Sequence, residues 1–279
     1  MEQDSTYLAS QLIASSGETF VFNCANGVSV LYPDGSPSLS EATPLPRGAT
    51  PHPYLHVGLD DTGSSHGVGR GEFTWIGPTQ AQRLATFMPI PLLGYGQREY
   101  QPWQVTYAYL ASMFDWDDLL TAYGKTDLLQ FLSSRPQPLS QLHTEAVKAP
   151  RSSSCIYLCD AVAAAIGLCR HRAFRGQGER QLRSLLTPQA LRNASDSRYS
   201  FNIRLLYHQE QPLPYLDPRS LWQQLLEDLQ QGEAPSSIAG RFYLGLIQGI
   251  ADMIGFLGET HAARSISVSG QLLQHDMLT

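Results

Sequence analysis

Residues 149–168 read APRSSSCIYLCDAVAAAIGL, and the rest of the chain is best interpreted outward from this stretch. A proline and three serines lead into an apolar run with a single acid, Asp160. A serine hydroxyl can accept a free backbone N–H of a first helical turn, so Ser153 or Ser154 is the expected N-cap. The larger apolar residues recur at helical spacing, and the alanines let a neighbouring backbone approach closely. We expect a core helix whose acid is either a solvated or capped side chain or a functional group.

The composition is that of a globular protein of ordinary hydrophobic content. The 279 residues suffice for one large domain or two moderate ones, and 42% of them are hydrophobic. A net charge of −6 argues against a broad nucleic-acid surface, which needs clustered lysine and arginine. The N-terminus lacks a signal-peptide pattern, and no apolar window is long enough to span a membrane. We therefore expect a cytoplasmic protein with no membrane or nucleic-acid partner.

The N-terminal part of the chain predicts a β-hairpin. Two alternating runs of β-type residues flank Asn26-Gly27, a dipeptide suited to a two-residue turn in which both central residues need positive φ. This pattern predicts a hairpin at 19–32.

Helical spacing predicts a short helix at 4–16, before the hairpin. The stretch after the hairpin, 33–53, is rich in proline, glycine, serine and threonine and is typical of a linker. We assign residues 1–53 to an N-terminal part of helix, hairpin and linker, and residues 54–279 to one α/β region.

A second hairpin is predicted where a strand ends on two acids. Residues 55–60 read LHVGLD, and a turn rich in glycine and serine joins them to a strand at 71–76. In some ATP-binding folds such a turn cradles phosphate, because its N–H groups face the oxygens without a Cβ in the way. Most glycine-rich hairpins are only turns, so both interpretations stay open. The turn is not a Walker loop, since neither GKS nor GKT follows it.

The remaining residues alternate between strands and helices, which favours an α/β architecture. Strands are expected at 82–90, 199–207 and 265–270. Helices are expected from Pro102, within 115–148, and at 153–168, 179–193, 218–231 and 236–257, with a loop at 212–218. A basic cluster after the central helix is interpreted as a solvated helix end; it consists of Arg170, His171, Arg172 and Arg175.

Six stretches resemble, in one shared order, a single protein family. They are LDDTGSSHGVGRGEF (59–73), PIPLLGYGQREYQPW (89–103), the stretch at 149–168, FRGQ (174–177), IAGRF (238–242) and SVSGQLLQHDML (267–278). The chain resembles the C-terminal catalytic region of the NiFe-hydrogenase maturation carbamoyltransferases, the HypF family. The resemblance covers residues 55–278. It implies an α/β fold of the sugar kinase–Hsp70–actin type, with ribonuclease H-like halves, here incomplete and extended by the N-terminal β-hairpin.

The resemblance also implies a group-transfer reaction. Enzymes of this family bind a carbamoyl-adenylate made from carbamoyl phosphate and ATP in another part of the protein. They pass the carbamoyl group to a cysteine thiolate of the partner HypE, and the product becomes the cyanide ligands of the hydrogenase iron. A cation and N–H donors would stabilise the developing oxyanion and the phosphate leaving group. The implied cofactors are a divalent metal and ATP-derived carbamoyl-adenylate, and the implied partner is a HypE-like thiol acceptor.

The resemblance assigns roles to particular positions. Asp60 matches the metal-binding acid at the strand end and Asp160 the acid of the buried helix, and both are implied as catalytic. The implied nucleotide-binding residues are Thr62, Gly63, Gly71, Ser269 and Gly270. His52 and His56 are further metal candidates, since on a helix their spacing would put two imidazoles on one face. The alternative is a loop histidine and a strand histidine, because Pro53 stands between them.

The departures from the family pattern fall on charged and glycine positions. Asp61 places a second carboxylate where the family turn has glycine, and it would repel an incoming phosphate. Ile156 and Tyr157 replace a Gly-Arg pair, which removes a cation suited to a phosphate or carbamoyl group. We therefore interpret the chain as a degenerate relative, a candidate pseudoenzyme that acts as an accessory or binding protein and need not retain either cofactor. The alternative is an active carbamoyltransferase that works with separate adenylate-forming and thiol-acceptor partners.

Overall fold

The structure is a computed structural model, and it describes only part of the chain. The described residues are 20–24, 27–31, 37–40, 53–61, 70–77, 80–94, 100–135, 139–207, 212–258 and 266–269. Side chains are described from residue 53 onward, except those of residues 60, 61 and 139–143. The helix predicted at 4–16 lies outside the described residues. No helix in the described part of the chain is long and apolar enough to cross a bilayer.

The chain divides into two compact units. One comprises Met1–Met88, Asn202–Asp217 and Leu246–Thr279, and we call it the sheet unit. The other comprises Pro89–Phe201 and Pro218–Gly245, and we call it the helical unit. The domain boundary proposed at residue 53 stays a prediction.

Strands and helices intermix along the described chain. The strands are β1 Phe20–Cys24, β2 Gly27–Leu31, β3 Pro37–Ser40, β4 Tyr54–Asp61, β5 Arg70–Ile76, β6 Ala81–Phe87, β7 Ile90–Pro91, β8 Arg151–Ser152, β9 Asn202–Leu206, β10 Leu213–Asp217 and β11 Ile266–Ser269. The helices are α1 Pro102–Met113, α2 Trp116–Tyr123, α3 Asp127–Ser133, α4 Leu139–Lys148, α5 Cys155–Ala165, α6 Gln177–Arg183, α7 Pro188–Ala194, α8 Arg219–Gln231 and α9 Pro235–Gly258. The α/β class predicted from the sequence is confirmed.

The sheet unit is built on one mixed sheet. Nine described strands follow each other in the order β3-β2-β1-β11-β4-β5-β6-β10-β9. At the centre β4 runs parallel to β11 and antiparallel to β5, which confirms the predicted strand pair on either side of the glycine-rich turn. Val57 and Phe73 face each other in the β4–β5 register, and both are 0% exposed. Because side chains alternate along a strand, this pair marks the face that packs into the core.

The N-terminal hairpin is also confirmed, with a different register. β1 and β2 pair antiparallel, and the last pair is Cys24 with Gly27, so the two loop positions come one residue earlier than the Asn26-Gly27 pattern predicts. Each strand has a second neighbour, because β1 pairs with β11 and β2 with β3. These neighbours constrain the register together with the turn. The strand β3 falls inside the stretch expected to be a linker.

Prolines account for two corrections to the sequence-based expectations. The loop expected at 212–218 is wrong, because β10 pairs antiparallel with β9 and parallel with β6. Proline fits extended backbone, and Pro214 precedes Tyr215 and Leu216, the residues that pair with β6, so its missing N–H falls outside that ladder. The helix expected at 179–193 is two helices, α6 and α7, and the second begins at Pro188 with the side chain of Thr187 as its cap.

The helical unit is organised around α5, as the sequence predicts. Ser154 is the N-cap, and its Oγ accepts the N–H of Ile156 at 3.2 Å. Every residue of α5 is buried. The alanines allow α1 to pack closely, and the hydroxyl of Thr106 donates to the carbonyl of Ala161 at 2.9 Å. The core helix is therefore tied to its neighbour by a hydrogen bond as well as by apolar contact.

Candidate functional site

One face of the sheet carries a row of register partners across five neighbouring strands, and four of the five are polar; we call it the polar row. The register pairs Tyr215 with Thr86 and Thr86 with Glu72. It continues from Glu72 to Gly58 and from Gly58 to Ser269. Directly paired residues lie on the same face of a sheet, so these positions share one face. The row passes through β4 and β5, the strands of the predicted phosphate hairpin.

Gly71 lies at the start of β5 and is held by the neighbouring strand. Its carbonyl oxygen accepts the hydroxyl of Thr86 at 2.9 Å, and both residues are buried. Next to it, the carboxylate of Glu72 lies 3.0 Å from the guanidinium of Arg83 and 4.0 Å from that of Arg70. Glu72 and Thr86 are not singled out by any sequence pattern, because the register that joins them is a long-range feature. The role of Gly71 in nucleotide binding stays a prediction.

The end of β4 carries the two acids that the sequence places there. Asp60 and Asp61 are its last residues, and the backbone of Asp61 pairs with that of Arg70. The register shifts between Gly58 and Asp61, which indicates a bulge. A bulge increases the local twist and re-aims the side chains beside it. The side chain of Asp60 is not described, so its catalytic and metal-binding roles stay predictions. Four further predicted residues lie outside the described chain; they are His52, Thr62, Gly63 and Gly270.

His56 and Ser269 are brought together across the sheet. His56 lies within β4, and its Nε2 is 3.2 Å from the Oγ of Ser269 on β11. His56 is therefore the strand histidine of the alternative interpretation, and its role as a metal ligand together with His52 stays a prediction. Among the described residues there is no group of three histidine, cysteine, aspartate or glutamate side chains that could hold a metal ion. The side chains of the predicted ligands Asp60 and His52 are not among those described, so the metal site stays a prediction.

Asp160 lies at the centre of a hydrogen-bonded cluster in the helical unit. Its side chain is 0% exposed. Its Oδ2 accepts the hydroxyl of Tyr100 at 2.9 Å, and its Oδ1 accepts the backbone N–H of Glu179 at 3.1 Å. The N–H of Gly178 also stabilises the carboxylate. Both N–H groups belong to the first turn of α6, so Asp160 caps that helix from α5.

Two glycines, Gly176 within the FRGQ stretch and Gly178 directly after it, explain why a neighbouring helix supplies the cap of α6. The N-cap position of α6 is Gly176, which has no side chain to offer and has φ of 77°. At Gly178, a Cβ would lie 2.6 Å from Oδ1 of Asp160. Only a glycine at this position lets the carboxylate reach the helix end. The sequence shows the glycines, but their partner 19 residues away becomes visible only in the fold.

The environment of Asp160 favours its neutral form. Burial raises the pKa of Asp160, and the hydrogen bonds from Tyr100 and from the α6 backbone, with the nearby charge of Arg172, oppose that rise only in part. Burial also raises the pKa of Glu179, against the opposing charge of Arg183, whose guanidinium lies 3.4 Å from the carboxylate. Both acids are enclosed by protein at the first turn of α6.

Asp160→Asn is expected to make stability less sensitive to pH. Because the pKa of Asp160 is raised on folding, the folded state keeps a proton that the unfolded state has lost. Stability therefore falls as pH rises from the ordinary carboxyl pKa to the raised one; below this window the carboxyl is protonated in both states. Urea unfolding across acidic to neutral pH should show Asp160→Asn gaining stability relative to wild type through the window. Asp252→Asn, at an exposed position on α9, is the control. Identical pH profiles for wild type and Asp160→Asn would contradict the expectation.

Comparison with known proteins relates most of the chain to one family. Residues 59–279 match the family model described as "Carbamoyltransferase, Kae1-like Domain, second subdomain". Carbamoyltransferase HypF of Rhodobacter capsulatus is 28% identical over an alignment of 207 residues that covers 71% of this chain and 23% of that protein. The family resemblance drawn from the motifs is confirmed.

Solved structures show the same fold. Full-length HypF in the phosphate- and nucleotide-bound form has a TM-score of 0.62 at 18% identity, covering 81% of this chain and 28% of its own. HypF of T. kodakarensis has a TM-score of 0.61 at 20% identity, covering 81% of this chain and 29% of its own. The chain thus spans less than a third of the length of these relatives.

Proposed function

The chain belongs to the HypF carbamoyltransferase family through its Kae1-like domain, and we propose that it serves NiFe-hydrogenase maturation as an accessory or binding protein. In this role it keeps the scaffold of the carbamoyl-transfer region without the transfer activity. Its partner would be a HypE-like protein, whose cysteine thiol accepts the carbamoyl group from carbamoyl-adenylate in the family reaction.

The observation that carries this proposal is that the residues that match the family motifs contact other residues of this chain. Asp160 caps α6 and is fully enclosed. Ser269 lies against His56, and the carbonyl of Gly71 is taken by Thr86. These contacts hold strands and helices in place, so a relative that had lost the chemistry would still need the same residues. Retained motifs are therefore expected even without activity.

The ligand-facing chemistry supports the same proposal. Asp61 adds a carboxylate beside the predicted phosphate turn. This acid would repel the phosphate of an adenylate, while Ile156 and Tyr157 supply no cation. No step of the proposal passes through a metal.

Titration with ATP and magnesium tests whether nucleotide binding is lost. We expect calorimetry on the purified chain to give no saturable heat, with any dissociation constant weaker than about 1 mM, or roughly 4 kcal/mol of binding free energy. Carbamoyl-adenylate should behave in the same way. A micromolar isotherm that Asp60→Ala abolishes would contradict the proposal and favour the active carbamoyltransferase that works with separate partners.

Capture of the thiol-carrying partner is the second arm of this experiment. A tagged chain should retain a HypE-like protein, and should retain it equally when the terminal cysteine of that protein is changed to serine, since a binding role does not need the thiol. Failure to retain either form would contradict the accessory role. Binding only of the thiol form would instead indicate that transfer chemistry persists.

A further inference from the structure

Two arginines of the helical unit share one aromatic ring. The guanidinium carbon of Arg135 lies 3.9 Å from the ring centroid of Phe131, and that of Arg170 lies 4.1 Å from the same centroid. The separation of the two guanidinium carbons cannot exceed the sum of these distances. Cation–π attraction offsets part of their mutual repulsion, but an anion between them would offset more.

The surrounding residues extend this positive cluster. The guanidinium of Arg172 stacks over the ring of Tyr100 at 3.6 Å, and Arg135 also lies 5.6 Å from the ring of Trp103. We call Arg135, Arg170 and Arg172 the arginine cluster. The expectation of a solvated helix end is corrected for Arg170 and Arg172, which are half-buried and packed on aromatic faces, whereas His171 and Arg175 are exposed.

Among the described residues, carboxyl groups lie near two members of this cluster, since the charge of Arg172 acts on Asp160. Asp127 forms an ion pair with Arg170, and its own side chain is 83% exposed. No hydrogen bond or ion pair to the guanidinium of Arg135 is found among the described residues, and its Nε is buried. The Nε of Arg170 is likewise buried without an acceptor in the part of the chain that the structure describes.

Stacking prepares these groups for an anion. An aromatic face covers the plane of a guanidinium and leaves its in-plane N–H donors open, and it also limits the side-chain entropy that binding would cost. The edge of a phenyl ring is itself positive, so an anion beside Phe131 would meet no repulsion from the ring. Guanidinium groups on two separate side chains can each bond different oxygens of a tetrahedral oxyanion, whereas a carboxylate offers only two oxygens.

We propose that the arginine cluster binds a small phosphate-type oxyanion, with Arg135 donating the paired hydrogen bonds and Arg170 sharing the charge. Asp127 holds Arg170 in place from the solvent side. The site belongs to the helical unit alone and is independent of the proposed accessory function. It makes a chain of net charge −6 locally receptive to phosphate.

Calorimetric titration of the whole chain with inorganic phosphate, at constant ionic strength in chloride, tests this site. Wild type should bind phosphate, and Arg135→Gln should bind it about tenfold or more weakly, since a charge-assisted paired contact is lost. Arg180→Gln is the matched control, because its guanidinium lies 5.2 Å from the ring of Phe174, outside the cluster. Its affinity for phosphate should equal that of wild type.

Arg135→Lys separates paired hydrogen bonding from charge alone. It keeps the charge but loses the planar fork, so its affinity should fall between wild type and Arg135→Gln. If circular dichroism shows that Arg135→Gln does not fold, the phosphate affinity of Arg135→Lys relative to wild type tests the proposal instead. Absence of phosphate binding in wild type would overturn the proposal, as would equal weakening in Arg180→Gln. Sulfate should compete with phosphate, whereas equal competition by acetate would show that no tetrahedral oxyanion is selected.

Discussion

Asp160→Ala is expected to lower the free energy of unfolding by about 4 kcal/mol, since each buried donor left without an acceptor costs about 1–3 kcal/mol. The hydroxyl of Tyr100 and the N–H of Glu179 would both lose their acceptor at a position that is 0% exposed. The first turn of α6 would lose its cap at the same time, because Gly176 has no side chain to replace it. Urea unfolding followed by circular dichroism measures the change.

Two further variants make this result specific. Asp252→Ala removes a carboxylate from an exposed position of α9, where it accepts only from Gln248 at 2.8 Å, and should change stability by less than about 0.5 kcal/mol. Asp160→Asn keeps the shape of the side chain and part of its acceptor capacity, so its loss should be smaller than that of Asp160→Ala. If Asp160→Ala behaved like Asp252→Ala, the carboxylate would not be supporting α6.

Local patterns were enough to predict the central helix and its cap. The serines before α5 and the apolar spacing after them depend on residues only a few positions apart. The surroundings of Asp160 could not be predicted in this way, because Tyr100 is 60 residues away and Glu179 is 19 residues away. The sequence therefore leaves open whether this acid is solvated, capped or functional; the fold shows that it is buried and caps α6, and its catalytic role stays a prediction.

The sheet shows the same limit of prediction. The pairing of β4 with β5 is predictable because the two strands are close in sequence. The position of β11 beside β4 depends on contacts such as that of Ser269 with His56, which are 213 residues apart. The loop expected at 212–218 is wrong because extended backbone accepts the fixed φ of Pro214, so a proline does not exclude a strand there. The register between strands that are distant in sequence depends on long-range packing, so it cannot be predicted from a short stretch of sequence.

The IAGRF stretch shows why motif retention and activity are separate questions. A Cβ on Gly240 would lie 2.9 Å from the carbonyl oxygen of Ala190, so glycine lets α9 pack closely on α7. Arg241 extends from the same helix to Asp228, with 2.6 Å between the charged atoms. Both residues of this stretch thus have packing partners inside the helical unit. Selection for the fold alone would keep them, which agrees with an accessory protein of the HypF family.

Gly245→Ala is expected to lower the free energy of unfolding by about 3 kcal/mol or more, because it overpacks a contact between two backbones. A Cβ at this position of α9 would lie 2.2 Å from the carbonyl oxygen of Tyr199 and 2.9 Å from its carbonyl carbon. A backbone cannot rotate away as the end of a side chain can, and Tyr199 is also fixed by the bond from its N–H to the carbonyl of Arg241 at 3.1 Å. Gly255→Ala in the same helix has nothing within 4 Å of the added Cβ, and it should stabilise by up to about 1 kcal/mol through helix propensity. Parallel urea unfolding of the two variants measures the difference, and a stabilised Gly245→Ala would show that α9 does not approach Tyr199 this closely.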